Sequence, residues 1–253
     1  MNRITITIIV FIIATLNGIS QDYTHNLQGV KKVKISSATD INIRTHTKKE
    51  LLIKSEENGQ IPEKAKGLKA IFPGGDDNTG YGINVIKEGE ILILKNLKNM
   101  HSEEMDIYLP KDINITVENP SIGDLNINGF TSEIEVKSNV GEIKIHNVTG
   151  PIVAKSSAGD IEVIFDKINQ SSPISLITSS GDVDVSLPSS TPANLSLKAS
   201  MGEIYTDFDL KIPSGKDNMQ VVGGSRSIDT KINSGGVNIS LRCSVGNIYL
   251  RKK

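Results

Sequence analysis

This chain has no tryptophan, a single cysteine, and aromatic residues at only 4% of its 253 positions. So few flat π faces work against the stacking platforms that hold neutral sugars or single-stranded bases. Cys243 has no partner for an internal disulfide, so a protein kept in an oxidising compartment would have to rely on its core. Neither sign of charge dominates: 28 Lys and Arg stand against 29 Asp and Glu, a formal charge of -1. That balance argues against nucleic acid or an anionic membrane as a general partner. Several catalytic signatures are missing too: no HExxH pair, no GxSxG elbow, no GxxxxGK[ST] loop, and no GxGxxG leading from a strand into a helix.

What is present begins with an export signal. MNR supplies a positive charge, ITITIIVFIIA an apolar core, and LNGIS ends in small residues before Gln21. The apolar run is short and broken by threonines, so a cleaved signal peptide over 1–20 is expected rather than a membrane span. This places the mature chain in the periplasm, on the outer-membrane surface or outside the cell, with no span of its own. No cysteine near the cleavage region supports lipid attachment. Asn-x-Ser/Thr sequons at Asn114, Asn147, Asn169, Asn194 and Asn238 matter only in a host that glycosylates.

A short phrase then recurs. PSIGDLNI, SNVGEIKI, SSAGDIEV, TSSGDVDV, ASMGEIYT and CSVGNIYL align on Gly123, Gly141, Gly159, Gly181, Gly202 and Gly246. The spacings are 18, 18, 22, 21 and 44 residues, and the last fits two further periods with Gly224 as a degenerate rung followed by Arg226. Gly129, Gly150, Pro173, Pro192, Gly215 and Gly236 supply a second breaker in each period. Glycine tolerates positive φ and proline cannot continue a ladder, so each period reads as strand, corner, strand, corner. Two positions after the glycines stand Leu125, Ile143, Ile161, Val183, Ile204 and Ile248; the residues between these and the next apolar column are Asn126, Lys144, Glu162, Asp184, Tyr205 and Tyr249. Period-two alternation repeated every 18 to 22 residues is the signature of a β-solenoid. The expected architecture is one elongated all-β solenoid over 21–253, with regular coils from about 118 to 253. Upstream, VKKVKISSATDINIR and ELLIKSEE read as a paired start and GINVIKEGEILIL as a hairpin around EGE. Residues 61–82 read as a loop with a short helical turn at 62–69.

Chemistry is sparse. Asp124, Glu142, Asp160, Asp182 and Glu203 follow the corner glycines, with Asn247 last, and would stack at about 4.8 Å. Like charges at that spacing cost about 1 kcal/mol in water and need compensation. A calcium column is one way to supply it. The other is structural: turn amides donating to the carboxylates, beside a basic column of Lys137, Lys155, Lys198 and Arg242 four residues before the glycines. The known calcium repeat has nine-residue units with paired glycines, which this chain lacks, so the corner reading is the simpler. GGDDN (74–78) lacks the spaced ligands of a calcium loop and reads as a turn. His25, His46, His101 and His146 are scattered, and His146 is expected to face solvent. Cys243 falls in a column with Ser138, Ser156, Thr178 and Ala199, all small, as at a tight corner. No histidine or acid is tied to it as a catalytic partner.

The glycine-acid phrase, the span PEKAKGLKAIFPGGDDNTGYGINV and the ending INSGGVNISLRCSVGNIYLRKK together resemble the bacterial "putative adhesin" family, a β-strand-repeat domain of unknown function in exported envelope proteins. The resemblance covers about 27–253. It implies a right-handed solenoid, no catalytic residues and no cofactor. The function expected is a non-catalytic binding scaffold of the cell envelope, whose partner is an envelope or surface component, protein or glycan. Two rivals remain at this stage: an envelope spacer, and a polysaccharide-cleaving enzyme using Asp160, Glu162, Asp182 and Asp184, with Tyr205 and Tyr249 as its outward aromatics. The export reading makes its own prediction. The protein recovered from outside the cytoplasm should begin near Gln21 or Asp22 by mass spectrometry, and a retained Met1 would overturn it.

Overall fold

Alternating apolar residues can be buried on one face only if two such faces meet, and this chain meets the requirement by winding its strands into two facing sheets. The computed structural model describes residues 22–54, 63–65, 67–68, 70–98, 104–211 and 226–253, with the backbone alone at 226. The strands run β1 (Tyr23–Asn26), β2 (Lys32–Ser36), β3 (Ile41–His46), β4 (Glu50–Lys54) and β5 (Ile83–Glu88). Next come β6 (Ile91–Asn96), β7 (Met105–Pro110), β8 (Asn114–Ile122), β9 (Leu125–Asn128) and β10 (Ile134–Val140). They continue with β11 (Ile143–Val148), β12 (Ile152–Ala158), β13 (Ile161–Phe165), β14 (Ile174–Ser180) and β15 (Val183–Leu187). The last are β16 (Ala193–Met201), β17 (Ile204–Thr206), β18 (Arg226–Ile232), β19 (Val237–Val245) and β20 (Ile248–Lys252). The expected signal peptide and the Gly224 rung lie outside the described residues.

The first sheet has the order β1-β4-β7-β3-β9-β11-β13-β15-β20-β17, and the second β18-β16-β19-β14-β12-β10-β8-β2-β6-β5. The fold is all-β and largely parallel, a solenoid-like stack in which each coil gives one strand to each sheet. The stacking order departs from the chain order at both ends. The first coil, β2 and β3, lies between the β6–β7 coil and the β8–β9 coil. The last, β19 and β20, lies between the β14–β15 coil and the β16–β17 coil. Successive winding of the late coils is therefore corrected: Gly246 sits between Gly181 and Gly202. The strand before β19 adds no further parallel rung either, since β18 runs antiparallel to β16.

The paired start is also corrected. β2 and β3 enter different sheets, and β4 pairs antiparallel with β7 and β1, so β7 separates it from β3. The EGE hairpin is present: β5 and β6 pair antiparallel, with Gly89 at φ 59 in the turn. Of the helical turn expected at 62–69, Glu63–Ala65 form one 3-10 turn. Antiparallel strands thus border three of the four sheet ends, β1, β5 and β18. Breaking the parallel ladder in this way limits end-to-end stacking of coils.

One continuous core fills the space between the sheets. Leu125, Ile143, Ile161, Val183 and Ile248 line it from the first sheet, and Ile134, Ile152, Ile174, Ile239 and Leu195 from the second. Phe130 and Phe165, both fully buried, fill the second corner. At the first corner the glycines of successive coils touch backbone to backbone. Gly159 has φ 140, and a Cβ built on it would run into the carbonyl of Gly141; Gly181 meets Gly159 in the same way. Both conformation and clearance therefore demand glycine. Gly159→Val is expected to lower stability by about 3 kcal/mol while far-UV circular dichroism stays β-rich. A variant that unfolds at the wild-type denaturant concentration would refute the close approach.

Candidate functional site: the corner column and the outer faces

In a parallel ladder each coil's amides bond the next coil's carbonyls, and at a sharp corner one amide per coil falls out of step. Here the corner acid takes it up. Asp40 Oδ1 accepts the amide N–H of Asp124 at 2.8 Å, and Asp124 Oδ1 that of Glu142 at 2.8 Å. Asp160 Oδ1 accepts from the Asp182 amide at 2.8 Å, and Asp182 Oδ1 from the Asn247 amide at 2.7 Å. Asn247 Oδ1 accepts from the Glu203 amide at 2.9 Å, closing the ladder in stacking order. Glu142, one methylene longer, instead meets Lys144 Nζ at 2.7 Å. These oxygens point along the column onto amides rather than converging on a common centre. Among the described residues no group of three or more His, Cys, Asp or Glu is placed to hold a metal ion.

Asp40 is a rung that the glycine alignment passes over. SSATDINI (36–43) matches SSAGDIEV (156–163), but Thr39 stands where the glycine belongs. The backbone of Thr39 nevertheless lies against Gly123 as the other corners lie against each other. Three residues before each glycine, the small column is buried, with Ser138, Ser156, Thr178, Cys243 and Ala199 in register. Thr178 Oγ1 donates to the Gly159 carbonyl at 3.0 Å and Cys243 Sγ to that of Gly246 at 3.0 Å. Ser138 and Ser156 find no partner among the described residues. Burial, helped by the negative charge of Asp182, pushes the Cys243 thiol pKa up, the opposite of what a thiolate nucleophile needs.

The basic column does not serve the acids. Lys137, Lys155, Lys198 and Arg242 are exposed on the second sheet's outer face and make no ion pair or hydrogen bond within the described residues. Of the two expected sources of compensation, the basic column is corrected, while turn amides do serve this corner. The first sheet's outer face does neutralise its charges. His146 Nε2 lies 2.6 Å from Glu162 Oε1, so His146 is half-buried and bonded rather than free in solvent. Arg251 grips Asp184 with a fork, Nε to Oδ1 and Nη2 to Oδ2, both 2.8 Å. Tyr205 stacks on Tyr249 with centroids 5.3 Å apart, and Arg251 lies over the Tyr249 ring. Register puts Glu162 beside Asp184, as the enzyme rival requires, but each is held by its own partner, His146 and Arg251.

In GGDDN, Asp77 organises the turn. Oδ1 accepts from the amides of Thr79 and Gly80, and Oδ2 from that of Gly82, each at 2.9 Å. Burial opposes its charge, yet these amides and the Thr79 hydroxyl outweigh that and hold the carboxyl below its ordinary value. His46 Nε2 bonds the Glu50 carbonyl oxygen at 2.8 Å, and His101 lies outside the described residues. An open groove of about 690 Å³ runs over Leu27, Val30 and Ile113 with Lys31, Lys49 and Asp112 at its rim. No periodic pattern in the sequence signals it, because its walls are the irregular links around β1 and β8. No described helix is long and apolar enough to cross a membrane.

The profile of the toastrack DUF4097 family matches residues 114–251, from the start of β8 into β20. No curated protein matches the chain. A structure of a "putative cell adhesion protein" from Clostridium sporogenes ATCC 15579 is similar at 13% identity and TM-score 0.46, covering 92% of this chain and 99% of its own. A "putative adhesin" from Bacteroides fragilis NCTC 9343 is similar at 16% identity and TM-score 0.45, covering 92% and 96%.

The ladder makes a prediction about the corner acids. Asp160→Asn keeps the accepting oxygen, as Asn247 does naturally, and should melt within about 0.5 kcal/mol of wild type. Asp160→Ala strands the Asp182 amide and should cost about 1 kcal/mol. Millimolar calcium should leave both melting temperatures unmoved. A calcium-dependent rise in the wild type that disappears in Asp160→Asn would show the column to be a cation site.

Proposed function

This chain belongs to the toastrack DUF4097 family, and on that premise we propose that it is an exported, non-catalytic binding scaffold of the cell envelope, adhesin-like in presenting its outer faces to a surface component. The observation that carries the reading is the commitment of the carboxylates. Asp160 and Asp182 accept backbone amides, Glu162 faces His146, and Asp184 is held in a fork by Arg251. General acid–base cleavage of a glycoside needs one carboxyl free to protonate and another free to attack or to activate water. What the coils offer instead is a rigid surface whose side chains stand in straight columns. The N-terminal charge, apolar core and small residues before Gln21 support a place outside the cytoplasm.

Purified protein should bind isolated envelopes of the producing cell saturably, be displaced by an unlabelled copy, and release no reducing ends from a panel of polysaccharides. Non-saturable binding would sink the scaffold reading. Reducing ends released by the wild type but not by Asp184→Asn would make the protein an enzyme.

A further inference from the structure

The two outer faces treat charge differently. On the first sheet, cations and carboxylates pair: Lys144 with Glu142, Arg251 with Asp184, Arg44 with Asp106. On the second, β12, β14, β19 and β16 are contiguous and carry no Asp or Glu at all. Across them and β10 runs a straight ridge of Lys137, Lys155, Ile177, Arg242 and Lys198, set by the parallel register. Lys137 faces Lys155 directly, and Lys198 faces Arg242, an arrangement that disfavours folding. At one end Glu118 stands opposite Lys137 and makes no ion pair within the described residues, and Glu135 on β10 is taken up by Lys32.

We propose that this ridge is a docking site for a linear acidic polysaccharide, a deepening that rests on the scaffold reading above. The cations recur at one or two strand separations, about 4.8 or 9.6 Å, along a line of about 19 Å. That suits a polymer carrying a carboxylate or sulfate on every sugar or every second one. Arg242 offers a planar fork to such groups and the lysines offer point charges. Hydroxyls flank the ridge on both sides: Ser157, Ser179, Ser244 and Ser200 toward the corner, and Ser175, Ser240 and Ser196 away from it. Beside Ser196 and Ser240 the face dips into a depression of about 440 Å³ bordered by Asn194, Asn238, Asp229 and Lys231. Hydroxyls and amides at these positions match a hydroxylated chain.

Other polyanions fit less well. The five strands hold no aromatic side chain for base stacking. An anionic membrane broad enough to cover the ridge would also meet the corner, where Asp124, Glu142, Asp160 and Asp182 stand just beyond it. A single polymer chain can follow the ridge and avoid them.

The purified protein is titrated with alginate, a linear polyuronate, with neutral dextran, with phosphatidylglycerol vesicles and with single-stranded DNA. Alginate should bind, more weakly as salt rises, and dextran should not. The triple variant Lys155→Gln, Arg242→Gln, Lys198→Gln should melt no lower than wild type and lose alginate affinity by about tenfold or more. Lys144→Gln, on the other face, should bind as wild type. Absence of alginate binding, equal binding by the triple variant, or tighter binding to vesicles or DNA each overturns the proposal. The same variants on isolated envelopes separate the two claims. If the triple variant binds envelopes as wild type does, the ridge is refuted and the scaffold stands; if wild type does not bind them either, the scaffold falls too.

Discussion

Coils in this protein meet at one corner glycine against glycine, backbone to backbone. Gly141, Gly159, Gly181, Gly246 and Gly202 each lie against the carbonyl of the neighbouring rung, leaving no room for a Cβ. That contact locks the translation from one coil to the next to a single strand spacing on both sides of the bend. Both sheets then share one register, so every side-chain position repeats as a straight column. The acid-to-amide ladder is a by-product of the same geometry: it serves the one N–H that the bend takes out of the sheet.

The columns were open to view in the sequence because each obeys a simple period and sits a fixed distance from a glycine. Inward Leu125, Ile143, Ile161 and Val183, and the hairpin around Gly89, needed no tertiary information. The order of the coils was hidden, for a physical reason. Each coil offers its neighbours the same glycine, the same apolar pair and the same ladder of amides, so any rung can dock on any other. Nothing in CSVGNIYL says that it belongs beside TSSGDVDV rather than beyond ASMGEIYT. Pairings that depend on the actual neighbour were hidden with it, among them Arg251 on Asp184 and Tyr205 on Tyr249. Thr39 concealed one more rung by replacing the residue on which the alignment rests.

Straight columns also explain how a chain with a formal charge of -1 presents two electrically distinct sides. A charge kept at one position of successive repeats is lined up along the stack. Where cations and carboxylates stand side by side, as Arg251 beside Asp184 and Lys144 beside Glu142, the face neutralises itself. Where they do not, as from Lys155 to Lys198, a line of one sign results, and bulk composition gives no hint of it.

The exchanged coils at the two ends bear on how such a protein changes length. In a simple stack a new repeat can be appended at either terminus, since the last rung leaves an open ladder behind it. Here the first and last coils are each enclosed on both sides, by β7 and β9 at one end and by β15 and β17 at the other. A coil added after β20 would find both neighbouring positions taken. Only the run from β8 to β15, where chain order and stacking order agree, can accept a duplicated rung without disturbing the closure. Growth in this architecture is confined to the middle, and its ends behave as fixed fittings.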